Sequence, residues 1–250
     1  MTHTIATQST AELGGRASVL VRQKRDHVEL DRLLHAIDGA TGARRQDLLN
    51  EVARLVFPHA FAEESVLWPV IRRTLPDGEA VTLRIEQEHQ QINELWTELE
   101  KTDPDDTRHR DLWRRIETLL REDVRDEEDV LLPKLQAALD RNRLTALGVA
   151  WEAVRRIAPT RPHPVVARRP PGNVAAAAPL TVLDRGRDRL DRWSRHTGGA
   201  KSQGLRAVST GLARLAGAIE HIPPLTRGEH PSTATTRSEA DPRDDGVPKS

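Results

Sequence analysis

Two stretches of this 250-residue chain place polar side chains where a helix would be expected to bury hydrocarbon. Residues 58–69 read PHAFAEESVLWP and residues 122–133 read EDVRDEEDVLLP, so both contain EE-x-V-L-x-P. His59 and Glu63 lie four residues apart and therefore project from one face of a helix. Asp123 and Glu127 hold the equivalent positions in the second stretch. Apolar residues surround both pairs, which predicts polar groups inside a helical core.

Two further histidines extend this repeat. His27 precedes His59 by 32 positions, His89 precedes Asp123 by 34, and each of these two histidines follows an acidic residue. The chain therefore reads as two helix pairs, in which the first helix supplies a histidine and the second supplies an i, i+4 pair. We predict that six side chains meet at one level of the core, namely His27, His59, Glu63, His89, Asp123 and Glu127.

A metal site gives a physical reason for burying such a set. A buried carboxylate without a partner costs several kcal/mol, and no lysine or arginine occupies the apolar stripes of these helices. Imidazole and carboxylate ligands suit iron, manganese or zinc. Two divalent ions, three carboxylates and one hydroxide sum to a neutral site, so two ions fit better than one. Glu63 and Glu127 are predicted to bridge them.

Several other side chains have more than one interpretation. Asp123 is predicted to bind metal, but a hydrogen bond to a metal-bound water or a degenerate half-site also fits its position. Glu64 and Glu128 are rotated by about 100° from their ligand neighbours, which places them in solvent or behind the ligands. The remaining histidines are predicted to carry no signal, and three tryptophans to pack in the core; these residues are His3, His35, His109, His163, His196, His221, His230, Trp68, Trp96 and Trp113.

Apolar residues spaced by three and four predict an all-α fold. Helices are expected at about residues 18–38, 43–74, 79–101 and 107–139, with a shorter fifth at 141–157. The short connections favour an up-down-up-down four-helix bundle over residues 17–158. Pro58 lies inside the second helix and is predicted to bend it beside the site.

The two ends of the chain differ from the bundle in composition. Residues 1–16 lack periodicity and are expected to form a loose arm. Residues 159–179 read as a proline-rich connector, residues 180–220 as surface helices at about 180–196 and 204–219, and residues 221–250 as a disordered tail. The charge changes sign as well, since residues 1–158 carry 29 acidic and 23 basic residues and the rest 9 and 15.

The basic segment at residues 185–193 could suggest binding to a membrane or a nucleic acid. Its aspartates instead favour an exposed helix with internal charge pairs, and these are Asp184, Asp188 and Asp191.

Composition narrows the class of protein. The absence of cysteine excludes disulfides, thiolate zinc sites and thiol catalysis. No stretch approaches the roughly 18 apolar residues that a membrane span needs, and the N-terminus lacks the pattern of a secretory signal. We therefore expect a cytoplasmic chain without a membrane span or a nucleic-acid partner.

Taken together, His27, the His59/Glu63 pair, His89 and the Glu127 copy of EE-x-V-L-x-P resemble the hemerythrin-like, or HHE cation-binding, domains. The resemblance covers about residues 18–157. It implies a four-helix bundle with a non-haem di-iron site that interacts with dioxygen, peroxide or nitric oxide, with manganese or zinc less expected than iron.

One position departs from the family pattern, because the family usually has histidine where Asp123 stands. The respiratory carriers also have five histidines, whereas this chain offers three candidates. An anion in place of a neutral imidazole favours ferric iron. We therefore expect oxidase, peroxide-consuming or iron-handling behaviour under oxidative or nitrosative stress, in preference to oxygen carriage. The alternative is a metal-dependent sensory or interaction module that acts through the basic C-terminal segment without turnover.

Overall fold

The computed structural model describes residues 4–222, 225 and 230–233, and in this part of the chain it contains helices and no strands. The predicted all-α class is confirmed. Two π-helical turns, Glu63–Leu67 and Glu127–Leu131, connect α2 to α3 and α5 to α6. The helices are α1 (Val19–Asp38), α2 (Gly42–Ala62), α3 (Trp68–Thr74), α4 (Gly78–Lys101), α5 (Thr107–Asp126), α6 (Leu132–Ala138), α7 (Arg141–Ile157), α8 (Gly172–His196) and α9 (Gly199–Glu220).

Each copy of EE-x-V-L-x-P forms one of the π turns. The backbone N–H of Trp68 donates to the carbonyl of Glu63, and that of Leu132 donates to the carbonyl of Glu127, both five residues back. The proline that ends each copy has no N–H to donate, and its ring crowds the carbonyl four residues earlier. A wider turn relieves both problems. The sequence repeat is thus also a repeat of backbone geometry, while α2 itself continues through Pro58.

A polar layer divides the core of the bundle into two apolar clusters. Helix α1 packs on α2, α4 packs on α5, and α7 lies against both α1 and α2. Along each helix that carries a predicted metal ligand, the neighbouring core residues belong to different clusters. The flanking residues in one cluster are Leu20 of α1, Ala62 of α2, Ile85 of α4 and Leu131 of the second π turn. Those in the other cluster are Leu30 of α1, Phe57 of α2, Ile92 of α4 and Leu120 of α5. The six polar residues therefore share one depth in the bundle.

The N-terminal arm is packed, and the expectation of a loose arm is wrong for the residues that the structure describes. Ile5 and Leu13 are buried in the cluster that also contains Trp151. Lys24 Nζ donates to the carbonyl of Gln8 at 2.7 Å. Two aliphatic side chains and a few backbone hydrogen bonds are enough to hold the arm, and neither produces a helical period in the sequence.

The C-terminal helices begin earlier than the sequence indicates. Helix α8 starts at Gly172 and not near residue 180, so the connector ends at residue 171. The alanine-rich stretch after Gly172 favours a helix, and α8 accommodates Pro179 in its interior. Helix α9 starts at Gly199. Of residues 221–250, which were predicted to be disordered, the structure describes 221, 222, 225 and 230–233. Leu225 is buried in a cluster with Leu180 and Ala216, so the prediction is wrong at this position, and the rest of the segment lies outside the described residues.

The aspartates of α8 do not form the internal charge pairs expected of an exposed helix. Asp184 and Asp188 are buried and face the connector. Asp188 accepts hydrogen bonds from Thr160 Oγ1 at 2.9 Å and from Arg161 Nε at 3.0 Å. The sequence interpretation is wrong here because the partners lie more than twenty residues away, outside any window of helical periodicity.

His163 is likewise not a surface residue, and neither is His109, since both are buried. His163 Nδ1 lies 2.8 Å from Glu220 Oε1 and its Nε2 lies 3.0 Å from Asp184 Oδ2. The imidazole therefore connects α8 to the end of α9. Among the residues described, none of the helices combines the length and the apolar character needed to cross a membrane.

We expect His163 to make the docking of α8 and α9 depend on pH. Burial alone would lower the pKa of His163, but Asp184 and Glu220 outweigh it and raise the pKa to about 9. A pKa above the unfolded value of about 6.5 gives stabilisation that is complete below that value and is lost as the pH rises through the folded pKa. The unfolding free energy of the wild type should exceed that of His163→Gln by up to about 3 kcal/mol near neutral pH, and the difference should shrink in alkali.

Urea unfolding at several pH values measures this difference. His196→Gln is the control, because the His196 side chain is exposed and pairs only at the surface with Asp47. A difference between wild type and His163→Gln that stays constant with pH would contradict the assignment.

Candidate metal centre

The structure brings the six predicted residues together from four helices. Helix α1 carries His27, α2 carries His59, α4 carries His89 and α5 carries Asp123. The two π turns begin at the two predicted glutamates, Glu63 and Glu127. All six side chains are buried or nearly so.

Two overlapping groups of side chains are close enough to hold metal ions. His27, His59 and Glu127 form one group, and Glu63, His89 and Glu127 form the other, with the ligand atoms of each group within 4.8 Å of one another. Glu127 belongs to both groups. Glu63 also spans them, because its Oε1 lies 3.0 Å from His59 Nε2 and its Oε2 lies 3.8 Å from His89 Nε2. The two predicted bridging carboxylates thus lie between histidines of different groups.

Asp123 stands at the edge of this arrangement. Its Oδ1 lies 3.6 Å from His89 Nε2, and the residue belongs to neither of the two groups among the described residues. The same oxygen is buried without a hydrogen-bond partner in the described structure. Asp123 therefore approaches the layer from the side of His89.

Each histidine presents its Nε2 to the layer because a carboxylate holds its Nδ1. His27 Nδ1 lies 2.9 Å from Glu128 Oε1, His89 Nδ1 lies 2.9 Å from Glu64 Oε1, and His59 Nδ1 lies 3.4 Å from Asp26 Oδ2. Carboxylates behind metal-binding histidines fix the ring orientation in this way. Of the two interpretations of Glu64 and Glu128, the contact with the histidines is the one observed.

Atoms without a partner show that the donor set fits a cation. Within the described structure, both oxygens of Glu63, Oε1 of Glu127, Oδ1 of Asp123 and Nε2 of His27 are buried and form no hydrogen bond of normal geometry. Two of these atoms are still close to an ion-pair partner, since Glu63 Oε1 lies 3.0 Å from His59 Nε2 and His27 Nε2 lies 3.2 Å from Glu127 Oε2. Such orphaned groups are rare in proteins and carry a cost of about 1–3 kcal/mol each, or more when charged. Other buried atoms without a partner, such as Glu88 Oε2 and Trp151 Nε1, are scattered over the described structure, whereas these five come from four of the six predicted residues. Hard oxygen and imidazole nitrogen atoms facing one point are what a divalent transition metal requires.

Comparison with known proteins identifies this segment. Residues 19–135 match the model of the hemerythrin HHE cation binding domain. Residues 19–135 form a hemerythrin-like domain. The chain is also 23% identical over 136 residues to an uncharacterized hemerythrin-like protein of Schizosaccharomyces pombe, an alignment that covers 54% of this chain and 67% of that protein. No solved structure matches the chain.

The resemblance found in the sequence is therefore confirmed. Membership in this family implies that the domain binds a cation, in agreement with the two groups of histidine and glutamate side chains.

Two arginines from outside the matched segment reach the carboxylates of the hemerythrin-like domain. Arg155 Nε of α7 lies 2.8 Å from Asp26 Oδ2, and Arg168 Nη1 of the connector lies 3.7 Å from Glu64 Oε1. The four helices supply no such cation from their apolar stripes, as the sequence indicated. Behind the histidines, Asp26 also pairs with the adjacent Arg25 of α1, and the other charge compensation comes from later parts of the chain.

The pKa shifts follow from this arrangement of charges. Burial alone would lower the pKa of His27, but Glu127 and Glu128 outweigh it and raise the pKa to about 9. Burial raises the pKa of Glu127 to about 8, and the neighbouring Glu63 and Asp123 add to the rise. Burial would also raise the pKa of Asp26, but His59, Arg155 and Arg25 lower it to about 2. The domain thus holds acids with very different proton affinities within one layer.

Sequence reasoning missed Asp26. It directly precedes His27, and the acid before His89 is Glu88, so the adjacent acid could have served as a signal. An acid before a histidine does not by itself identify a residue that supports the site, however, because Glu88 pairs with Arg84 of its own helix. Only the tertiary structure shows that Asp26 supports His59 on a different helix.

A small cavity of about 30 Å³ adjoins the polar layer of the hemerythrin-like domain. Apolar side chains form most of its wall, including Leu30, Phe57 and Ile92. A wider groove of about 570 Å³ between α1 and α5 is lined by residues that include His27 and Glu128. The layer is therefore bordered by space for a small molecule.

We expect Glu127→Gln to stabilise the metal-free protein while it abolishes tight metal binding. The pKa of Glu127 is raised to about 8, so near neutral pH the folded protein holds this carboxyl protonated, whereas the unfolded chain ionises it, and that ionisation favours unfolding. Glutamine cannot ionise, so the expected gain is about 1–3 kcal/mol in the free energy of unfolding. Denaturant unfolding with a chelator measures the gain, and metal titration measures the loss. Glu122→Gln, at an exposed position of α5, should change neither.

A Glu127→Gln protein that is no more stable than the wild type without metal, and that still binds metal normally, would contradict this role of the layer.

Proposed function

We propose that the hemerythrin-like domain holds a non-haem di-iron centre that interacts with dioxygen, peroxide or nitric oxide. The observation that carries the proposal is the pair of overlapping groups that share Glu127. The proposal includes the up-down-up-down course of the four helices and a cytoplasmic location without a nucleic-acid partner.

The ligand assignment follows the two groups. His27 and His59 would hold one ion and His89 the other, with Glu127 and Glu63 between the ions and Asp123 beside His89. Two divalent ions balance three carboxylates far better than one does, and the burial of these acids makes that balance important. Iron is favoured over manganese and zinc by the family, and the donor set itself suits all three.

Iron would supply the electrons for chemistry on a small oxidant, and the protein residues would restrict what reaches it. The cavity of about 30 Å³ has room for a molecule the size of water or a diatomic gas. Its apolar wall, formed by residues such as Leu30 and Phe57, favours an uncharged ligand. Three histidines and an additional anion, Asp123, favour ferric iron. These features support a role in oxidative or nitrosative stress or in iron handling, as an oxidase or peroxide-consuming enzyme or as an iron-responsive protein.

Anaerobic loading with ferrous iron followed by exposure to air tests the proposal. We expect about two iron atoms per chain by elemental analysis and an optical spectrum of ferric iron that persists when oxygen is removed, because Asp123 stabilises the ferric form. A spectrum that reverses on removal of oxygen would indicate a carrier. Protein without stoichiometric iron would rule out the centre altogether.

Asp123→His is the matched variant, since it restores the residue that the family usually has at this position. It should still bind iron and should oxidise less readily in a redox titration. Oxidation behaviour identical to that of the wild type would remove Asp123 from the explanation.

A second candidate function, a metal-dependent sensory module without turnover, is favoured by the docking of the connector against the domain. The backbone N–H of His163 donates to Asn93 Oδ1 at 3.1 Å, and Asn93 Nδ2 donates to the carbonyl of His89. The connector is thus two hydrogen bonds away from a predicted ligand.

Hydrogen exchange in the presence and absence of iron distinguishes this second function. A sensory module should show a change in amide protection over residues 159–171 when iron binds, whereas a purely catalytic domain should show changes confined to α1, α2, α4 and α5. Hydrogen exchange needs neither an inactive variant nor a truncated protein, so the measurement can be made on the full chain.

A further inference from the structure

We propose that Arg168 of the connector is a positioning residue for the metal centre, which it reaches through Glu64 and His89. The inference rests on the proposed function, because it concerns how firmly His89 is presented to a metal ion. It assigns to residues beyond the matched segment a direct part in the properties of the site.

The contacts form a short chain of three buried side chains. Arg168 Nη1 lies 3.7 Å from Glu64 Oε1, and the same oxygen lies 2.9 Å from His89 Nδ1. The relative exposures are 8% for Arg168, 1% for Glu64 and 3% for His89. The same carboxylate oxygen therefore forms an ion pair with the guanidinium and a hydrogen bond with the imidazole. Little solvent is present to screen these interactions.

The guanidinium is itself held in place. Arg168 Nη2 donates to the carbonyl of His163 at 3.1 Å. Asn173 Nδ2 donates to the carbonyl of Arg168 at 3.0 Å and lies 3.1 Å from Oγ of Ser65, the residue after Glu64. These bonds tie the backbone of the connector to the first π turn. Arg168 is thus fixed relative to Glu64 before any metal is considered.

The physical effect is one of orientation. A carboxylate buried without a cation is costly, so Arg168 favours the rotamer in which Glu64 points inward. Glu64 in turn holds Nδ1 of His89 and leaves Nε2 facing Glu63 and Asp123. Partners of this kind behind a metal-binding histidine typically change metal affinity by 10–100-fold when removed.

The neighbouring arginine provides a matched control. Arg169 belongs to the same connector and also pairs with a buried carboxylate, since its Nη2 lies 2.8 Å from Glu86 Oε2. Glu86 pairs in addition with Arg72 of α3. Arg169 thus tests the general loss of an arginine from the connector without the contact to Glu64.

The experiment compares the affinity for ferrous iron of full-length wild type, R168Q, R168K and R169Q by anaerobic competition with a chelator. We expect R168Q to bind iron about 10–100-fold more weakly, R168K to recover part of the loss, and R169Q to bind like the wild type. The R168Q protein without metal should melt at the same temperature as R169Q, which separates positioning from general stability. Because Arg168 acts through Glu64, the double variant E64Q/R168Q should bind no more weakly than E64Q.

Each alternative outcome has a distinct meaning. Equal affinities of R168Q, R169Q and wild type would overturn this inference alone, as would additive losses in E64Q and R168Q. A wild-type protein that binds no iron would overturn both this inference and the proposed function. Should R168Q fail to fold, R168K carries the test, and an affinity equal to that of the wild type would then overturn the inference.

Discussion

The structure depends on keeping carboxylates and imidazoles together in a layer that has hydrocarbon on both sides. Glu63 and Glu127 are almost completely buried, and the apolar clusters above and below the layer offer them no partner. Without compensation these groups would favour unfolding. The histidines supply some compensation, and cations would supply the rest. The residues that would bind metal therefore lower the stability of the fold when no metal is present, and a bound metal would raise that stability.

The supporting charges are distributed over more of the chain than the hemerythrin-like segment. The matched residues end at 135, but Arg155 and Arg168 pair with the acids that hold His59 and His89. Helix α7 and the connector thus contribute to the electrostatic balance of the site, although neither supplies a predicted ligand. Buried acids of α8, bound by Arg161 and His163, in turn hold the connector. The C-terminal region is coupled to the domain by polar contacts at each step.

Local patterns in the sequence predicted the helices of the bundle and the six residues that the structure brings together. The spacing of His59 and Glu63 requires only the geometry of one helix, and the repeat indicates where the second pair lies. The π turns were missed, although Pro69 and Pro133 mark both of them, because helical periodicity tolerates one extra residue. The role of Asp26 and the contacts of the connector were missed for a different reason, since their partners come from other helices. Contacts between distant residues leave no periodic signal in a single sequence.

The supports of the three histidines differ in a way that determines how the layer meets solvent. Asp26 is closed in by Arg155, and Glu64 is closed in by Arg168. Glu128, which holds His27, pairs with no arginine or lysine among the described residues, and its side chain retains 14% exposure. It also borders the groove between α1 and α5. Because the support of His27 borders this groove and lacks an ion pair with an arginine or lysine among the described residues, exchange of small molecules and protons with the layer is expected to take place beside His27.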